Sequence, residues 1–196
     1  MSWRDEAFEV PAEVARLADG AVEGLRERGS PAHDGLATRM VRFDADRDHL
    51  RLVLQPVRWA LRLLDDASES LTALCVVRSE DGRWLAGRRA GWVSTWANRW
   101  ALGAGGAVDL GESPAQTLTR ELQEEWQLEP DRLSVQALLA LPGGMNMLVG
   151  LATVPDRCEP VPDAEHDEWS WWPADIVRWP AEADERLKLM AALLGS

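Results

Sequence analysis

The sequence predicts an α/β chain, with a mixed sheet flanked by helices and preceded by an N-terminal helix and β-hairpin. Two observations predict it. Short apolar runs of strand length alternate with Gly, Pro and acidic turns between residues 71 and 172. Three stretches, 11–28, 113–126 and 181–194, instead read as helices.

Pro11 to about Arg28 is amphipathic, with Val14, Leu17, Ala18, Ala21, Val22 and Leu25 on one face, and Gly20 and Gly24 weaken it. Thr38–Phe43 and His49–Gln55 read as strands around the polar turn Asp44-Ala45-Asp46-Arg47-Asp48. Pro56–Leu64 then runs apolar into Asp65-Asp66. Leu71–Arg78 and Arg83–Arg89 form a strand pair around Glu80-Asp81-Gly82. Leu133–Leu141 and Met145–Thr153 form another around Pro142-Gly143-Gly144. Residues 155–168 are a loop rich in proline and acid. Glu168–Trp172 is a short strand, Pro173–Val177 a short helix and Ala181–Leu194 the last helix.

The organisation expected is an extension, 1–70, and a domain, 71–196. About 70 residues alone would be marginally stable, so the extension should be ordered and packed on the domain. Its strands either extend the domain's sheet or reach a second subunit. Paired strands leave an edge that a two-fold partner completes, and a homodimer is the expectation.

Composition narrows the function. A net charge of −12 and a pI near 4.7 argue against a nucleic-acid polymer as main partner, because phosphate backbones require basic surface. No apolar run approaches the roughly 20 residues of a membrane span. The start, MSWRDEAFEV, lacks a basic segment followed by an apolar one, so no signal peptide is expected. Cys75 and Cys158 are far apart and have no metal-ligand spacing. A reduced, cytoplasmic setting is the expectation.

The chemistry concentrates in residues 106–128, GAVDLGESPAQTLTRELQEEWQL. Ser113 suits an N-cap and Pro114 the first helical position. Ala115, Leu118, Leu122 and Trp126 gather on one helical stripe, and Glu121, Glu124 and Glu125, at i, i+3 and i+4, on another. Three neighbouring carboxylates repel unless a cation joins them, and a hard divalent ion takes oxygen ligands. Arg120 borders the cluster and can hold a carboxylate through a bidentate pair. A solvated acidic helix face is the plain alternative for the three glutamates alone.

The run resembles the Nudix box, G-x5-E-x7-R-E-U-x-E-E-x-G-U. Gly106, Glu112, Arg120, Glu121, Glu124 and Glu125 fall in register, as do the aliphatic positions Leu122 and Leu128. Gln127 replaces the last glycine, and the helix is therefore expected to run past 127. Gly105-Gly106-Ala107-Val108-Asp109-Leu110-Gly111-Glu112 resembles the family's glycine loop, with Asp109 for the usual Glu. The approach Trp100–Gly105 lacks proline and looks like the branch of isopentenyl-diphosphate isomerases and their hydrolytic relatives.

The resemblance implies an α/β/α sandwich, Mg²⁺ or Mn²⁺ on Glu121, Glu124 and Glu125, and hydrolysis of a nucleoside diphosphate linked to another moiety by water attack on phosphorus. It implies a further late carboxylate as metal ligand or base. Glu168 is the candidate ligand, and Glu121, Glu165 and Glu168 are candidate bases, with a solvated loop as the plain alternative for Glu165 and Glu168. His166 reads as a loop residue. Gly105 and Gly106 are expected beside a small phosphorylated substrate. Arg88 and Arg89 either contact its phosphates or pair with surface acids. Trp92 and Trp96, in a loop with Gly91, Ser94, Thr95 and Asn98, either stack on a flat group or fill the core.

Two other readings stand. One is a prenyl-diphosphate hydrolase or isomerase, although the isomerases' cysteine is missing from residues 100–105. The other is a non-catalytic Nudix-fold module that binds a nucleotide, although such modules usually lose a box carboxylate.

Overall fold

The computed structural model describes residues 1–29, 34–46, 49–65, 67–93 and 95–195. Arg47 and Asp48 of the expected turn, Asp66 and the loop residue Ser94 lie outside the described residues. The elements are β1 (Ser2–Trp3), α1 (Ala12–Glu27), β2 (Leu36–Ala45), β3 (Leu50–Arg58), β4 (Leu71–Ser79), β5 (Trp84–Arg89), β6 (Trp100–Leu102), β7 (Ala104–Ala107), α2 (Pro114–Trp126), β8 (Arg132–Leu141), β9 (Met145–Val154), β10 (His166–Trp172) and α3 (Glu185–Leu194). Single 3₁₀ turns occupy Trp59–Leu63 and Ile176–Arg178. The mixed α/β class is as expected.

Five strands run in the order β10-β5-β4-β9-β8, with β6 paired to β5 and β7 to β4 in the same sheet. Strand β10 pairs antiparallel with β5, in the register Glu168↔Arg88 and Trp172↔Trp84. A bulge between His166 and Glu168 shifts the start of β10 and brings His166 opposite Arg89. A second sheet has the order β1-β3-β2, with β1 parallel to β3 and β2 antiparallel to it.

The chain divides into two compact units. One comprises Met1–Ala73, Ala107–Thr117 and Leu138–Leu148. Its core gathers Ala18 and Val22 of α1 with Ala37, Val57, Ala60 and Leu61, and Phe8, Val14 and Trp59 pack against them. Leu17, expected on that buried face, is 59% exposed, so the stripe is narrower than its spacing suggested. Strands β2 and β3 pair with β1 in a sheet of their own and do not lengthen the larger one. The edge of β2 is tied by Thr38, whose N–H donates to Val108 O at 3.0 Å and whose hydroxyl donates to Asp109 O at 3.1 Å.

The other unit comprises Leu74–Gly106, Leu118–Ala137 and Val149–Ser196. Leu118, Leu122 and Trp126 of α2 are fully buried there. Removing each from water contributes roughly 1.5–3 kcal/mol, enough to hold a short helix in place. Indoles fill much of this core: Trp84 and Trp179 meet edge-on at 6.3 Å between centroids, and Trp172 lies 4.9 Å from Trp179. Helix α3 starts at Glu185, later than 181, because the Asp184 side chain caps it by accepting from Arg186 N–H at 2.7 Å.

Candidate active site

Helix α2 begins in a reciprocal cap. Gln116 N–H donates to Ser113 Oγ at 3.3 Å, and Ser113 N–H donates to Gln116 Oε1 at 2.8 Å. It ends at Trp126, which corrects the expectation of a longer helix. Gln127 takes φ of 52°, the left-handed conformation a glycine would adopt, and its N–H donates to Gln123 O at 3.0 Å. Burial on both sides compels this turn. Trp126 is fully buried with its Nε1 donating to Gly103 O at 3.0 Å, and Leu128 is buried just beyond.

The cap and the buried stripe fix where the glutamates point. Glu121 and Glu125 are buried, whereas the Glu124 side chain is 58% exposed. Arg120 Nη1 donates to Glu121 Oε1 at 2.8 Å and to Glu124 Oε2 at 2.9 Å. Gly105 N–H donates to Glu125 Oε1 at 3.0 Å. A Cβ on Gly106 would stand 2.2 Å from Glu121 Oε1, so this position requires a residue without a side chain. The box glycine is thus the seat of the box's first helical carboxylate.

Arg89, near the end of β5, points into the same cluster. Its guanidinium lies 2.8 Å from Glu165 Oε2 and 3.6 Å from Glu125 Oε2. Alternation along the strand turns Arg88 to the other face, where it pairs with Asp167 at 2.7 Å and Glu168 at 3.5 Å. The structure therefore brings Glu165 to the helix carboxylates and does not bring Glu168 there. Trp92 and Trp96 lie in the loop after β5. Trp96 is 40% exposed with φ of 58° and, with Trp100, Arg88, Arg99 and residues 181–184, lines a cavity of about 410 Å³.

His166 and Asp163 complete the cluster. His166 is buried at the first position of β10, which corrects its reading as a loop residue. Its Nδ1 lies 3.2 Å from Asp163 Oδ1, and its Nε2 lies 3.6 Å from Glu125 Oε2. The available signal was a histidine between acids just ahead of the expected strand, and the bulge hid it by breaking the two-residue period.

Burial drives the electrostatics. It raises the Glu125 carboxyl well above the ordinary range, against Arg89 and the Gly105 N–H, with Glu121 and Glu165 adding repulsion. Burial also raises Glu121, against Arg120, with Glu124 and Glu165 adding to the rise. Among the described residues no three His, Cys, Asp or Glu side chains are gathered as a ready cation shell. The donor set nevertheless fits a hard cation. Four carboxylates act on one another here, two are buried, and Glu125 Oε2 is buried without a hydrogen-bond partner. Burial, with the Glu125 charge, pushes the Cys75 thiol on β4 up to about 12, so it supplies no thiolate near neutral pH.

The NUDIX domain profile matches residues 69–193. The chain belongs to the NUDIX family. It is a Nudix-type pyrophosphate hydrolase, and Nudix hydrolases generally use divalent metal ions. No curated protein matches it. Among solved structures, a MutT NUDIX hydrolase from Burkholderia pseudomallei is 18% identical over 64% of this chain and 97% of that one, with a TM-score of 0.51. The NUDIX domain of Shewanella oneidensis NrtR, solved with ADP ribose, is 22% identical over 63% and 85%, with a TM-score of 0.51. A MutT/nudix family protein from Enterococcus faecalis is 23% identical over 52% of this chain, which covers 42% of that longer protein, with a TM-score of 0.46. At these identities the likeness concerns the fold. No helix among the described residues is long and apolar enough to cross a membrane.

Proposed function

We propose that this Nudix hydrolase cleaves the diphosphate of a nucleoside diphosphate linked to another moiety, with Mg²⁺ or Mn²⁺. The observation that carries the reading is the cluster of Glu121, Glu124, Glu125 and Glu165 beside Gly105 and Gly106, with a buried Glu125 oxygen that takes no hydrogen bond. Glu121, Glu124 and Glu125 would hold the ion. When bound, it supplies charge neutralisation of the diphosphate and makes phosphorus more electrophilic. Arg120 keeps Glu121 and Glu124 together, and Gly105 N–H fixes one oxygen of Glu125. Glu165 is the base of choice. Its side chain is reachable from solvent, Arg89 steadies Oε2, and Oε1 takes the proton of the attacking water.

The prenyl-diphosphate isomerase reading lacks the cysteine that those isomerases carry in the approach to the box, here Trp100 to Gly105. We further propose a cytoplasmic homodimer joined through the part of β2 beyond Met40, which carries the exposed Phe43.

The test is phosphate release from nucleotide sugars, dinucleoside polyphosphates, nucleoside triphosphates and prenyl diphosphates, with and without chelator. The expected result is metal-dependent turnover greatest for a nucleoside diphosphate conjugate. Turnover confined to prenyl diphosphates, or unaffected by chelator, contradicts it.

A further inference from the structure

Glu125 Oε2 and His166 Nε2 face one another at 3.6 Å, both buried and both without a hydrogen bond. That separation is too long for a hydrogen bond, yet a shift of a few tenths of an ångström would form one. The imidazole has little freedom to turn away. It lies on Trp126 at 4.5 Å between ring centroids, and a Cβ on Gly87 of β5 would stand 2.5 Å from its Cδ2. Behind the ring, Asp163 Oδ1 lies 3.2 Å from Nδ1 and also accepts from Glu165 N–H at 2.9 Å. Asp163 N–H donates to Glu125 O at 2.9 Å. Each ring nitrogen therefore faces one carboxylate, and Asp163 joins the backbone of Glu165 to that of Glu125.

We propose that His166 is a positioning residue that sets the orientation of the Glu125 carboxylate and, through Asp163, holds Glu165 opposite it. The inference rests on the reading of Glu125 as a metal-holding carboxylate. An imidazole locked by a carboxylate on its far side keeps one ring orientation, and partners of that kind tune the groups they touch.

His166→Phe keeps an aromatic ring on Trp126 and removes both nitrogens. His166→Gln restores one nitrogen near the position of Nε2. Three quantities are measured on the full chain: Mn²⁺ affinity by electron paramagnetic resonance, thermal midpoint, and kcat and KM for the screen substrate that the wild type turns over fastest. The expected result for His166→Phe is Mn²⁺ binding weakened about 10- to 100-fold. Its kcat falls by a similar factor while KM stays within about twofold, and His166→Gln recovers part of both losses. Wild-type Mn²⁺ affinity and kcat in a folded His166→Phe overturn the proposal, as does a glutamine variant no better than phenylalanine. If His166→Phe does not fold, Asp163→Asn, which leaves the ring in place, is expected to lower Mn²⁺ affinity and kcat in the same direction. Wild-type values there overturn it too. A wild-type chain that binds no Mn²⁺ defeats the metal reading, whereas variants matching an active wild type defeat only the role of His166.

Discussion

At the residue scale, spacing alone placed Glu121, Glu124 and Glu125 on one helix face, but not their separate environments. Glu124 meets solvent while its two neighbours are buried, because the stripe of Leu118, Leu122 and Trp126 sinks the helix on that side. The difference predicts a pH dependence. Burial lifts the folded-state Glu121 and Glu125 carboxyls above their ordinary value of 4.5. The folded, metal-free chain thus binds protons more tightly there than the unfolded chain does. The stabilisation is complete below about 4.5 and is lost as pH rises through the folded-state values. Asp34, held low by its hydrogen bonds to Arg58, acts in the opposite sense and only in more acid solution. The metal-free thermal midpoint should fall as pH rises above about 5, and saturating Mn²⁺ should raise it most at the alkaline end. Scanning fluorimetry checks this, and a metal-free midpoint that climbs over the interval contradicts it. Sequence could not separate Arg88 from Arg89 either, since adjacent strand residues face opposite sides and the register was unknown. The pairing with β10 resolves them.

At the element scale, periodicity located both long helices and the main strand pairs. The misses fall where tertiary contacts overrule local preference. Gln127 was read as a residue that would continue the helix, yet it accepts a left-handed backbone because Trp126 and Leu128 must both be buried. A non-glycine residue pays about 1 kcal/mol for that conformation. Gln127→Gly should therefore raise stability by up to about 1 kcal/mol without altering activity, because the substitution is exposed and lies beyond the carboxylates. Denaturant titration measures it, and a lower midpoint would show that the glutamine side chain contributes more than its backbone costs. Strand β10 began two residues earlier than expected because its bulge breaks the alternation that marks a strand. The short strands β6 and β7 carry too few residues to show any period.

At the scale of the whole molecule, the α/β class and the family were legible because the box is long and almost complete. The arrangement of residues 1–70 was not, since pairing partners far along the chain leave no local signature. In the structure β2 and β3 join β1 in a separate sheet, and Ala18, Val22 and Ala37 cover Val57, Ala60 and Leu61. Deleting residues 1–55 would strip that cover, and the shortened chain should aggregate or lose activity. A truncated chain that stays soluble, monomeric and fully active contradicts this. The central claim is metal-dependent diphosphate hydrolysis by the box carboxylates. The most direct measurement is the turnover number of Glu124→Gln and Glu125→Gln beside the wild type, in saturating Mg²⁺ and then in excess chelator. Each variant should fold normally and lose on the order of 100-fold or more in rate, and chelator should silence the wild type. Full turnover in either variant, or in chelator, would contradict the account.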